Sequence, residues 1–169
     1  MADIQKTKPF SVEAEQSVLG SVLIDPECIM GLIEIISAYD FYIPEHGEIF
    51  DAMCELFNKN RNIDVVTLID MLTERGVYSA DECKRYVGVI AAVVPSAANV
   101  KDYARIVHDK AVLRALIDAS EEISENAYSA RGEVKYILDD AEQKIFNLSR
   151  ASDTKKFVSI KEALVEAFN

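Results

Sequence analysis

The residues of this chain that could do chemistry are few: six glycines, two histidines, three cysteines and an excess of carboxylates. The glycines stand at 20, 31, 47, 76, 88 and 132. A phosphate cradle of the form GxxxxGK[ST] needs its second glycine before a Lys-Ser or Lys-Thr, so that backbone N–H groups and the lysine meet the phosphates while the hydroxyl meets magnesium. Not one of the six precedes such a pair, and no GxSxG, HExxH or paired CxxC occurs. His46, the adjacent His108-Asp109 and Asp139 do stand in the order used by all-helical metal-dependent phosphohydrolases of the HD type. That chemistry needs several separate imidazole ligands, and the chain has two histidines in all. His108 lies among Arg105, Asp109 and Lys110, where a solvated imidazole is the ordinary expectation. Cys28, Cys54 and Cys83 are odd in number and far apart, which predicts reduced thiols acting as small hydrophobes. The acidic pairs Glu121-Glu122 and Asp139-Asp140 read as solvated helix faces. The expectation is a chain with no catalytic residue, no metal and no cofactor of its own.

Charge narrows the partners. Acidic residues number 29 against 18 basic ones, a formal charge of −11. Nonspecific affinity for nucleic acid comes from Lys and Arg displacing counterions, so direct contact with DNA is not expected. No basic start leads into an apolar run, and no apolar stretch approaches the length that spans a bilayer, which predicts a soluble, cytoplasmic protein without a membrane partner.

The elements that must position these residues are all helical. Apolar residues recur at spacings of three and four while Gly and Pro fall at the joints, and strand-like alternation is nowhere sustained. Ser11 caps a helix whose Val18, Leu19, Val22 and Leu23 share a face, and Asp25-Pro26 ends it and starts the next, which carries Ile29, Leu32, Ile33 and Ile36. A third begins near Pro44 with Ile49, Phe50, Met53, Leu56 and Phe57. Asp64 caps a fourth, with Gly76 just past its end, and Ser79 with Glu82 opens a fifth bearing Tyr86, Val87, Ile90 and Val94, which Pro95 ends. Residues 9–95 are thus expected to form a compact helical subdomain.

Residues 96–150 change style. A pattern with no Gly or Pro runs from about Asn99 to Tyr128, Arg131-Gly132 supplies a turn, and a second helix follows. On that second helix Val134, Leu138, Ala141, Ile145 and Leu148 fall at coiled-coil intervals, matched on the first by Leu113, Leu116, Ser120, Ile123 and Ala127. These positions are the expected seam of an antiparallel hairpin. Val112 and Ile117 flank the seam, where a two-helix unit cannot cover them; either the globular part folds back over them or a partner does. Residues 151–158 read as a polar linker, and 159–169 as a short amphipathic helix capped by Ser159 and Glu162, with Ile160, Leu164 and Phe168 as a face needing a surface to dock on.

Two blocks carry a specific resemblance. Pro9-Phe10-Ser11-Val12-Glu13-Ala14-Glu15-Gln16-Ser17-Val18-Leu19-Gly20, followed by Leu23 and Asp25, is similar to the opening of DnaB-type replicative DNA helicases. So are Asp40-Phe41-Tyr42, His46 with Ile49-Phe50, Ile63-Asp64 with Val66-Thr67-Leu68, and Pro95-Ser96-Ala97-Ala98-Asn99-Val100 with Tyr103-Ala104-Ile106-Val107, in that family's order and spacing. The resemblance implies an all-helical N-terminal domain whose hairpins pair into dimers and a trimer of dimers, forming a collar on a hexameric helicase of 5'-3' polarity. It implies that primase docks on the collar, and by position this points to Glu13, Tyr86, Ile117 and Ile123. It implies a linker helix, here 159–169, packed on a neighbour's motor, and a RecA-like motor domain, with its ATP and magnesium, outside these residues. The same resemblance gives a helicase loader as a further partner but no docking site for it. The readings that stand beside it are a helical adaptor unrelated to replication, the helicase-binding domain of a primase, and the HD-type phosphohydrolase.

Overall fold

A computed structural model describes the backbone of residues 7–76, 78–93 and 96–167, and the side chains of those up to residue 151. Among them are seven α-helices and no strand: α1 Val12–Ile24, α2 Ile29–Leu32, α3 Pro44–Asn58, α4 Val65–Glu74, α5 Ala80–Val93, α6 Val100–Ser129 and α7 Val134–Ala167. Short 3-10 turns at Pro26–Cys28 and Ala38–Asp40 complete the set.

The helix starts follow from side chains that satisfy the otherwise unpaired first N–H groups. Ser11 Oγ accepts from Ala14 N at 3.2 Å. Asp64 Oδ1 accepts from Val66 N and Thr67 N at 2.9 and 3.0 Å, and Thr67 Oγ1 accepts from Asp64 N in return. Ser79 and Glu82 form the reciprocal pair expected of them. Past the end of α4, Gly76 takes φ +69°, a conformation that strains any residue with a Cβ. Val94 and Pro95, expected to close α5, lie outside the described residues.

The chain divides into two compact units, Phe10–Ala111 and Val112–Asn169 with Met1–Pro9. In the first, α1 packs on α5 and α3, and α4 packs on both α3 and α5. Their shared core holds Val18, Leu19, Ile29, Leu32, Phe50, Met53, Leu56, Leu68, Leu72 and Ile90, all fully buried. Ile33, expected on the inner face of the second helix, is instead exposed, because only one turn of α-helix forms there and the periodicity has no length over which to act. Arg75, at the end of α4, reaches across to Asp51, Glu55 and Glu48 of α3 and ties the two helices together.

Two boundaries differ from expectation. The globular unit does not stop at 95: Val100, Ala104 and Val107 on the first turns of α6 are buried in its core, and the division falls inside the helix after Ala111. The stretch 151–158, expected as a linker, is not a break in the backbone, since α7 runs through it to Ala167 with position 159 inside the helix. It includes neither Gly nor Pro, and polar residues alone do not end a helix.

Candidate functional site

The second unit is the hairpin of α6 and α7, closed by a turn in which Ala130 and Gly132 take φ of 45° and 101°. Its helices are held by charge. Lys144 Nζ lies 3.3 Å from Glu122 Oε1 and also pairs with Asp140, and Asn126 donates to Asp140 Oδ2 at 3.3 Å. Partners of Glu122 and Asn126 thus fall in reverse order along α7, as antiparallel helices require. The hydrogen bond to Asp140, then the one to Glu122 and the charges of both, raise the Lys144 ammonium above its ordinary value.

Of the ten expected seam positions, only Ile123, Ala141 and Leu148 are half-buried. Val134 is 71% exposed and Leu138 59%, while Leu113, Leu116 and Ile145 are each exposed by more than two-fifths. The residues turned inward on α7 are Ile137, Ala141, Lys144 and Leu148, one position out of step with the expected stripe at its start. A charged residue therefore occupies the seam, and its ion pairs set the phase. One residue is about 100° of helix rotation, enough to carry Val134, Leu138 and Ile145 to the outside. The outward face continues through a shallow apolar groove lined by Ala141, Glu142, Ile145, Phe146 and Ser149. Ile160, Leu164 and Phe168 have side chains outside the described residues.

Ile117 and Ile123 are both half-buried. Ile117 shares a helix face with Arg114 and Asp118. Arg114 Nη1 donates to the Pro9 carbonyl at 2.8 Å and Asp118 pairs with Lys8 at 2.5 Å, so Lys8 and Pro9 lie along this face. The least covered apolar residues of this part of α6 are therefore Leu113 and Leu116, and not Ile117 as expected.

In the globular unit, a polar chain crosses the core. Glu15, 2% exposed, accepts from Tyr42 N through Oε1 at 2.7 Å and from Ile43 N through Oε2 at 3.3 Å. The same Oε2 lies 2.6 Å from Nδ1 of the fully buried His46, whose Nε2 lies 2.6 Å from the Tyr86 hydroxyl. The Tyr86 and His46 rings stack, with centroids 5.8 Å apart. Burial raises the Tyr86 phenol above its ordinary value; the Gln16 side chain opposes this, and the negative Glu45 and Glu15 add to it. Tyr86 is half-buried, and Glu13 is exposed in the first turn of α1.

With both imidazole nitrogens engaged by Glu15 and Tyr86, His46 has no lone pair for a metal. Among the described residues no group of three or more His, Cys, Asp or Glu could hold one. His108 faces Asp40, with Nδ1 and Oδ2 3.5 Å apart. These facts remove the arrangement an HD-type phosphohydrolase would need. Cys83 is buried and Cys28 and Cys54 half-buried; burial lifts the latter two thiols to about 11. No helix among the described residues is long and apolar enough to cross a membrane.

The family described as DnaB-like helicase N terminal domain matches residues 7–109. The replicative DNA helicase DnaB of Leifsonia xyli subsp. xyli is 33% identical over 165 residues, covering 98% of this chain and 36% of that protein. The structure of the N-terminal domain of DnaB helicase from Mycobacterium tuberculosis superposes with a TM-score of 0.79 at 32% identity, covering 83% of this chain and 99% of that one. A structure of a DnaB-like replicative helicase and its interactions with primase shares the fold at TM-score 0.67 and 22% identity, over 89% of this chain and 35% of that one. The chain belongs to the DnaB-like helicase N-terminal domain family, and it spans about a third of the length of the curated relatives it matches. This places it on the helicase side, against both the unrelated adaptor and the primase domain.

Proposed function

We propose that these residues form the assembly and primase-docking domain of a cytoplasmic replicative DNA helicase. Hairpins of separate copies pair into dimers, three dimers make a collar, and primase docks on a surface that includes Glu13, Tyr86, Ile117 and Ile123. ATP hydrolysis, with magnesium, and strand separation with 5'-3' polarity belong to a motor domain of the kind the longer relatives' names require, and a helicase loader is a further partner of that whole. The linker helix, residues 159–169, docks through Ile160, Leu164 and Phe168 on a neighbouring motor.

The observation that carries the reading is the outward apolar row of the hairpin. Val134, Leu138, Ile145 and Phe146 on α7, with Leu113 and Leu116 on α6, are exposed although each has the chemistry of a core residue. Covering such a row removes apolar surface from water at about 25 cal/mol per Å², which favours a second copy or a partner over solvent. The acidic surface agrees with a domain that binds protein while others bind DNA.

Titrating the purified chain with a bacterial primase in a calorimeter tests the docking half of this reading. A saturable heat is expected, weakened at least tenfold by Glu13→Lys. Absence of any complex at micromolar concentrations of both proteins would contradict it.

A further inference from the structure

Glu15 and His46 lie on different helices from Tyr86, are buried, and take no part in any surface, yet their side chains form one hydrogen-bonded chain that ends on the Tyr86 hydroxyl. The direction of that chain follows from its first member. An ionised carboxylate only accepts, and Glu15 already accepts from Tyr42 N and Ile43 N, so the nitrogen of His46 facing it must carry the proton. In the neutral tautomer with its proton on Nδ1, Nε2 is an acceptor, and the group 2.6 Å from it is the Tyr86 hydroxyl, an O–H donor. The stacked His46 ring covers part of the Tyr86 ring, so that position and direction are both set from inside the core.

We propose that Glu15 and His46 are positioning residues for Tyr86, holding its hydroxyl inward so that a docking partner meets the edge of the aromatic ring and not the hydroxyl. This rests on the reading of Tyr86 as part of the primase surface. On its own helix the ring is continued by apolar residues: Val89 and Val93 follow Tyr86 at three and seven residues on α5, and both are exposed. These three positions share one helix face. A ring at the head of an apolar stripe, with its polar atom satisfied within the protein, offers a partner contact area without demanding a hydrogen bond in return.

If Tyr86 is positioned through His46, removing either end of their bond has the same consequence. Primase affinity should fall by roughly two- to tenfold for Tyr86→Phe and for His46→Gln alike, the range of one hydrogen bond. In the double variant it should fall no further than in either single one. A loss for Tyr86→Phe with none for His46→Gln would show that the hydroxyl reads the partner directly, and losses that multiply would show that the two residues act separately; either overturns the proposal. Should His46→Gln not fold, the imidazole 15N shifts of the wild type decide the matter. Nδ1 should be protonated and Nε2 a hydrogen-bonded acceptor both free and saturated with primase, and loss of the Nε2 bond on binding would overturn the assignment. A wild type that does not bind primase at all would remove the docking reading itself and this inference with it, an outcome distinct from intact binding with independent variants.

Discussion

The globular unit and the hairpin are built from the same kind of helix, yet every buried apolar residue among those described lies in the first and none in the second. Between Val112 and Ala151 no residue is buried. The physical difference is the number of neighbours each helix has. α1 and α3 each pack against more than one other element, so their apolar faces are wrapped and Leu19, Phe50 and Leu56 leave solvent entirely. In the hairpin unit α6 and α7 have principally each other, their inner faces carry Lys144 and Asn126 as well as Ile123 and Leu148, and a second apolar row faces outward. Apolar residues in the first region explain why it folds. In the second they form the surface that the proposed pairing of copies covers.

The sharpest way to break that contrast is to delete one large side chain from each region. Phe50→Ala should lower the unfolding free energy of the globular unit by about 3–5 kcal/mol, through lost transfer energy and the cavity left behind. Leu138→Ala, measured in the same denaturant titration at a dilution where the protein is monomeric, should change it by less than about 0.5 kcal/mol. A loss of more than about 2 kcal/mol from Leu138→Ala would mean that the hairpin residue is core after all.

A smaller effect separates the two regions by pH. In the globular unit, hydrogen bonds from Lys59 and Arg75, with their charges, lower the Glu55 carboxyl to about 2. A folded value below the unfolded one means stabilisation that is complete above about 4.5 and lost as pH falls through 2. In the hairpin the sign is opposite: Lys144 is raised, so its contribution is complete below 10.5 and lost as pH rises past that value. Amide exchange should therefore quicken first around the α3 and α4 contact in acid, and first between α6 and α7 in base. The same order of opening at both extremes would contradict the assignment of these ties.

Much of the fold was legible because local chemistry specifies it. Ser11, Asp64 and Ser79 mark helix starts by the hydrogen bonds they can make, Gly76 marks an end, and each acts within four residues. What failed depends on partners that the local pattern does not name. The seam expected on α7 is one position out at its start because two stripes of the helix share Ala141 and Leu148, and intervals of three and four fit both; Lys144, with its ion pairs, decides between them. The boundary expected at 95 follows Pro95, while the actual one follows which turns of α6 find a core. At the candidate site, Glu13 was singled out by resemblance and Glu15 was overlooked. The signal was present: Glu15 stands three, four and seven residues before Val18, Leu19 and Val22, on the very face expected to be buried, and a carboxylate there requires partners. His46 and Tyr86, its direct and indirect partners, were each noticed, but nothing in their spacing joins them.

The central claim is that the outward row of the hairpin exists to be covered by another copy. Sedimentation equilibrium over a hundredfold range of concentration, on wild type and on a Leu138→Asp, Phe146→Asp variant, tests it most directly. The account predicts concentration-dependent association of the wild type and a variant that stays monomeric with unchanged helix content by circular dichroism. A wild type that is monomeric throughout, or a variant that associates as strongly as wild type, would contradict it.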